Sequence, residues 1–143
     1  MSFGFSVGDF ITAGRSISDI ITSLRATPIS EYRELILELH GLQRALHEIE
    51  HLECTPSQAA AVNGIKVAAL NCQFALDDFD VKLKKFETLG IKGGKTPSKL
   101  ETMKIWTKKL QWGFCMKEEV EKLRTYIVVH VGSLNMRLIT QGL

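Results

Sequence analysis

The fold is decided by residues 62–86, which read VNGIKVAALNCQFALDDFDVKLKKF. Apolar residues recur there at alternating steps of three and four, at positions Val62, Ile65, Ala69, Cys72, Leu76, Phe79, Leu83 and Phe86. This alternation has a period of about 3.5 residues, which keeps one seam of an α-helix facing a partner helix. The stretch predicts a long amphipathic helix, and Leu76 and Phe79, in the middle of its seam, are predicted structural core residues.

The same spacing continues on both sides of this stretch. Apolar residues recur at steps of three and four over residues 7–24, 32–49, 100–110 and 120–138. Several such helices in one short chain pack as a bundle whose neighbours run in opposite directions. We expect an all-α fold, an antiparallel helical bundle of four long helices plus one shorter helix in the region of residues 96–113.

The three prolines mark helix starts, because each follows a threonine, at positions 28, 56 and 97. Thr55-Pro56 is typical of an N-cap followed by proline at the first helical position, and Gln58 completes a capping-box pattern. Residues 90–94, GIKGG, predict a loop that ends the third helix. A further break is expected near Gly113, between the short helix and the last one.

The C-terminal half contains a β-branched stretch and both tryptophans of the chain. Residues 127–131, IVVHV, are rich in β-branched side chains. We predict a helix there, because both flanks have helical spacing and a lone strand would have no partner. The only two tryptophans are predicted to be structural, Trp106 in the core and Trp112 at the junction of the last two helices.

Composition places the chain among globular proteins. The chain has 143 residues, 45% hydrophobic and 24% charged, which excludes the disordered, collagen-like and disulfide-scaffold classes. Residues 1–143 are predicted to form a single helical-bundle domain. Three cysteines without a C-x-x-C pair, and an opening without a basic signal-peptide region, favour a cytoplasmic location. No uninterrupted apolar run approaches the ~18–20 residues of a membrane-spanning helix.

Charge is distributed unevenly along the chain. Residues 31–54 contain six acidic and two basic residues, whereas residues 91–143 contain ten basic and four acidic ones. The preferred interpretation is that the bases pair with the acidic second helix or are simply solvated. Binding to an anionic lipid surface or an acidic protein is the second. Nucleic acid is the least favoured, because aromatic residues do not alternate with the lysines as in a base-stacking platform.

One motif has the form of a metal site. Residues 47–51, HEIEH, match H-E-x-x-H, in which two histidines on one helix face bind zinc. A catalytic zinc needs a third protein ligand, and no downstream motif supplies one. His40 lies about 10 Å from His47 along the helix axis, which is too far. The sequence predicts no metal site, with adventitious metal binding as the alternative.

A second motif has the form of a nucleotide site. Residues 90–96, GIKGGKT, fall one residue short of a P-loop and follow a helix rather than a strand. We interpret them as a connecting loop. With no catalytic residue and no cofactor expected, the protein is predicted not to be an enzyme.

Three blocks of the chain resemble the fungal HeLo-like N-terminal domains. They are residues 1–10 (MSFGFSVGDF), residues 109–123 (KLQWGFCMKEEVEKL) and residues 129–136 (VHVGSLNM). The resemblance implies a non-catalytic helical bundle at the N-terminus of a longer signalling protein, before a nucleotide-binding STAND or NACHT-type module or a ubiquitin-like domain. It also implies a role in programmed cell death or immune-like signalling. In some relatives the first helix is implicated in membrane attack.

The predicted function is a non-enzymatic interaction module whose partner is another protein or a second copy of itself. The alternative is a membrane-active effector whose N-terminal amphipathic helix inserts into membranes, making the protein membrane-peripheral on activation. No nucleic acid and no small-molecule substrate are expected as partners.

Two groups of residues are candidates for that interaction. The first is apolar and lies near the N-terminus: Phe3, Phe5, Phe10 and Ile11. Phe3 and Phe5 either form an interface or cap the end of the bundle. The second is basic and suits an acidic partner or an anionic membrane surface: Lys92, Lys95, Lys99, Lys104 and Lys108.

Overall fold

The structure, a computed structural model, describes the backbone of residues 7–26, 29–88 and 99–143, and the side chains of residues 8–26, 29–86 and 116–143. The helices are α1 (Val7–Ala26), α2 (Tyr32–Glu50), α3 (Ala59–Leu70), α4 (Gln73–Thr88) and α5 (Lys99–Thr140), with a 3₁₀ turn at Pro56–Gln58 before α3. No strand occurs in these described ranges. The all-α prediction is confirmed at this level.

α1 and α2 form an antiparallel pair. Near the bundle's middle, Gln43 Nε2 donates to Ser18 Oγ at 2.9 Å. Towards the end of α1, Arg25 Nη2 donates to His40 Nε2 at 3.1 Å. Because the partner on α2 moves towards its N-terminus as α1 advances, the two helices run in opposite directions.

α3 and α4 lie along α5 as one rod, also antiparallel to it. His130 of α5 donates to the backbone oxygen of Ala69 in α3 at 3.1 Å, and Lys82 of α4 pairs with Glu119 of α5 at 3.0 Å. The chain therefore forms four rods, α1, α2, α3–α4 and α5, whose directions alternate along the sequence. An all-α bundle of this kind agrees with the prediction.

The core follows the predicted seams. Leu76 is 0% exposed and Phe79 is 2% exposed, which confirms both as structural residues. Side chains from α1, α2 and α5 belong to the same cluster, among them Ile17, Leu24, Leu35, Leu39, Leu42, Met116, Val120 and Leu123. Cys72 lies in the same cluster, and burial raises the pKa of its thiol to about 12, which makes it unreactive in the folded state.

Two helix boundaries differ from the prediction. The long third helix is divided at Asn71 and Cys72, residue types with low helix propensity, where Asn71 N–H bonds to Ala68 in a tightened last turn. The seam nevertheless continues through the break, because Cys72 and Leu76 are both buried. The predicted separate short helix is not observed, since α5 runs unbroken from Lys99 to Thr140 through Gly113. A single glycine costs a helix only about 1 kcal/mol, which a long helix tolerates.

Candidate functional site

The C-terminal part of α5 has apolar side chains on two opposite faces. One face, represented by Ile127 and Leu134, is buried in the core. The opposite face carries four large apolar side chains that are between 61% and 72% exposed: Val128, Val129, Met136 and Ile139. We call these four residues, together with the exposed Gly132 between them, the α5 surface.

The sequence of this segment explains both faces. Residues 125–136, TYIVVHVGSLNM, contain no Asp, Glu, Lys or Arg. Val129 and Met136 are two turns apart, so both lie on one side of the helix. A helix segment with large apolar side chains on two opposite faces is typical of one that is covered on both faces. The apolar spacing of the sequence does not reveal the α5 surface, because that spacing marks only the buried seam. The stretch without charged residues is the signal in the sequence that indicates it.

Ion pairs connect α5 to α2 just before the α5 surface begins. Arg124 Nε donates to both carboxylate oxygens of Glu38, at 3.1 and 3.2 Å, and Arg124 Nη2 donates to Glu34 at 3.0 Å. Such partly exposed pairs contribute roughly 0.2–1 kcal/mol each, so they add little to an orientation that the buried face of α5 sets. The interpretation that basic residues pair with the acidic second helix is confirmed for this arginine.

His130 connects residues 125–136 to α3, and its side chain is uncharged at neutral pH. Its ring is half-buried, stacks on Tyr126 with centroids 5.5 Å apart, and bonds to the Ala69 carbonyl. Burial lowers the pKa of His130 below its ordinary value, and the hydrogen bond to Ala69 partly offsets this effect. The imidazole is therefore neutral at neutral pH, and residues 125–136 carry no charge there.

Gly132 lies at the middle of the α5 surface. A Cβ added there would meet no atom of the described chain within 4 Å, so packing inside the protein does not require glycine. Beside it, a groove of about 400 Å³ separates α5 from α3. The groove lining includes Gly64, Ile65, Ser133, Met136 and Thr140. The surface and the groove share Met136, so they are adjacent.

A second apolar surface lies where α1 meets the α3–α4 junction. Phe74 is 84% exposed and Val67 is 38% exposed. They line a groove of about 350 Å³ together with polar residues that include Asp9, Thr12 and Gln73. This groove has a more polar lining than the α5 surface, so we treat it as the lesser candidate.

The structure places the predicted interaction residues in different environments. Phe10 is 5% exposed and belongs to the core, so its assignment as an interaction residue is wrong. It belongs to the buried seam of α1, together with Ala13 and Ile17. Ile11 is 55% exposed on the neighbouring position of the helix.

The side chains of the other predicted residues lie outside the described part of the chain. The following lie outside the described residues: Phe3, Phe5, Lys92 and Lys95. For a second group the structure describes the backbone, which is part of α5, but not the side chains: Lys99, Lys104, Lys108, Trp106 and Trp112. The P-loop-like residues 90–96 are also outside it.

In the H-E-x-x-H motif, the glutamate that lies beside the two histidines is Glu50 and not Glu48. The side chains of His47, Glu50 and His51 come together at the end of α2, whereas Glu48 is not part of the group. The prediction of no metal site depended on the missing third ligand. Glu50 was overlooked because the motif directs attention to the glutamate directly after the first histidine.

One helical segment of the described chain, Pro56–Phe86, is long and apolar enough to cross a membrane by length and composition, because an 18-residue window within it has a mean hydropathy of 1.2. Charged residues such as Lys66 interrupt its apolar runs, so uninterrupted runs did not mark it in the sequence. Core helices of globular proteins meet the same criterion, and this segment carries the core seam.

No protein family model matches this chain, and comparisons with curated proteins and with solved structures find no significant match.

Proposed function

We propose that this protein is a non-enzymatic helical interaction module that associates with a second copy of itself through the α5 surface. The observation that carries the proposal is the exposure of Val128, Val129, Met136 and Ile139 on one side of a helix whose other side is already in the core. Covering these side chains removes apolar area from water, which favours association by roughly 25 cal/mol per Å² before the costs of binding.

The charge pattern favours a second copy over a charged partner. Residues 125–136 carry no charge at neutral pH, so two such surfaces meet without repulsion between like charges. The whole chain has a net charge of only +2, so long-range repulsion between copies is small. The nearest charged residues in the sequence are Arg124 and Arg137, which lie just before and just after the stretch, and Arg124 is already paired with α2. A twofold contact between identical surfaces satisfies both copies at once.

The resemblance to fungal HeLo-like domains supports a signalling context for this association. Under the proposal, residues 1–143 form the N-terminal module of a longer cytoplasmic protein in a cell-death or immune-like pathway. Contact between two modules would bring their attached domains together, which raises the effective concentration of those domains.

The membrane-active alternative requires α1 to leave the bundle. The apolar face of α1 is covered in the structure, since Phe10, Ala13, Ile17 and Leu24 are each at most 5% exposed. Releasing that face would expose the core, whereas the α5 surface is available without any rearrangement. We therefore propose self-association first.

Sedimentation velocity over a range of concentrations tests the proposal, with Val129→Asp as the variant. We expect the wild-type chain to form a dimer as concentration rises. Val129→Asp should weaken dimerisation by at least about tenfold, because it places a carboxylate in an apolar contact. Circular dichroism should show unchanged helix content, since Val129 is exposed in the monomer.

Val81→Asp is the matched control, because Val81 is a 53% exposed valine on α4, away from the α5 surface. It introduces the same charge and should dimerise like the wild type. A wild-type chain that stays monomeric throughout, or two variants that weaken the dimer equally, would contradict the proposal.

A further inference from the structure

The last turn of α2 gathers three side chains that can bind metal. His47, Glu50 and His51 each offer one ligand atom, and these atoms lie within 4.8 Å of one another. The two imidazole ring centroids are 4.5 Å apart. Residues three and four positions apart are neighbours on a helix surface, which is why these three share one face. The group contains two imidazole nitrogens and one carboxylate oxygen.

A backbone hydrogen bond prepares His51 for this role. The Nδ1 atom of His51 lies 2.8 Å from the backbone oxygen of His47. A carbonyl oxygen only accepts, so this contact assigns the ring proton to Nδ1 and leaves the Nε2 lone pair available. Histidines that bind metals usually donate their other ring N–H to a carbonyl or carboxylate in this way. The structure thus supplies both a ligand and the contact that orients it.

The end of the helix also favours a cation electrostatically. His51 is the C-cap of α2, where the unpaired carbonyl groups give the helix its negative end. One positive group is already near, because Lys66 Nζ donates to the backbone oxygen of Glu50 at 2.9 Å. That contact uses the backbone of Glu50 and not its carboxylate.

We propose that His47, Glu50 and His51 bind one first-row divalent transition-metal ion, for which Zn²⁺ is the probe. Two imidazoles and a carboxylate form a ligand set typical of zinc and of other first-row metals. Zinc bonds of about 2.0–2.2 Å hold tetrahedral ligands ~3.4 Å apart. The widest separation therefore closes by roughly 1.4 Å from 4.8 Å, which the exposed imidazoles achieve by side-chain rotation. The remaining coordination positions face solvent.

The proposed site clips the last turn of α2 and is not a peptidase centre. In H-E-x-x-H peptidases the glutamate after the first histidine acts as general base, and the structure leaves Glu48 outside the group. Because the three ligands converge only when this turn is helical, the metal binds the folded chain in preference to the unfolded one. Binding should then raise the melting temperature.

Isothermal titration of the purified chain with ZnCl₂ in a non-chelating buffer tests this site. We expect one Zn²⁺ per chain and a melting temperature that rises with Zn²⁺ concentration. His47→Gln, Glu50→Gln and His51→Gln should each weaken binding by at least about tenfold and abolish the thermal shift. His40→Gln is the matched control, because His40 lies on the same helix but contacts Arg25 instead. It should bind Zn²⁺ like the wild type.

Three results would overturn the proposal. The first is binding weaker than about 1 mM, which corresponds to an adventitious ion only. The second is equal affinity in the wild type and in the three ligand variants, which would place the metal elsewhere. The third is affinity that falls in both histidine variants but not in Glu50→Gln, which would remove the carboxylate from the site.

Discussion

Leu76→Ala is expected to lower the free energy of unfolding by ~2–5 kcal/mol in chemical denaturation. Leu76 is 0% exposed in α4, inside the cluster that joins α1, α2, the α3–α4 rod and α5. Truncation removes buried methyl groups and leaves a cavity that a core shared by four helices cannot fully close. The loss is large because the stability of a whole domain is about 5–15 kcal/mol.

Leu37→Ala is the control, because Leu37 is 67% exposed on α2 and the chemical change is identical. Its free energy of unfolding should stay within about 0.5 kcal/mol of the wild-type value. A loss below ~1 kcal/mol for Leu76→Ala would show that the seam is not the centre of the core.

Gly132→Glu should raise the stability of the monomer and weaken dimerisation. Glutamate is a better helix former than glycine, so thermal denaturation of the dilute, monomeric variant should show a gain of roughly 0.5–1 kcal/mol. A Cβ at this position meets no atom of the described chain within 4 Å, so the monomer accepts the side chain. In the dimer the same carboxylate would lie at the centre of the contact without a partner. Dimerisation should therefore weaken by more than about 100-fold in sedimentation velocity.

Gly41→Glu separates the two effects. Gly41 is an exposed glycine in the middle of α2 that also has no atom within 4 Å of an added Cβ in the described chain. The substitution adds the same charge and the same helix propensity away from the α5 surface. It should raise stability similarly and leave dimerisation unchanged; equal weakening by both variants would point to a general charge effect.

Much of the fold could be predicted from the sequence, because burial follows a strict spacing of apolar residues. Leu76 and Phe79 are buried as expected, and so is the seam on either side of them. The helix boundaries could not be predicted to the same extent. Asn71 interrupts a helix, whereas Gly113 does not. These outcomes depend on local hydrogen bonds and packing, which the spacing of apolar residues does not show.

The candidate sites were less predictable than the fold. Phe10 was predicted to be an interaction residue together with its apolar neighbours near the N-terminus, although its side chain belongs to the buried α1 seam. The α5 surface was missed because spacing reports the buried face, and exposure on the opposite face depends on where the other helices lie. Glu50 was missed because a linear motif ranks residues by position, whereas a helix brings the third and fourth residues together.

The central claim, that the α5 surface packs against a second copy of α5, is tested most directly by cross-linking from Thr125. Thr125 is exposed one turn before Val128 and Val129 on the same side of the helix. A benzophenone-bearing amino acid is placed there in an equal mixture of ordinary and ¹⁵N-labelled chains, so that mass spectrometry separates links between copies from links within one. We predict a covalent dimer whose cross-linked peptide comes from α5 of the other copy. No covalent dimer, or a cross-link to α1, α2, α3 or α4 of the other copy, would contradict the account.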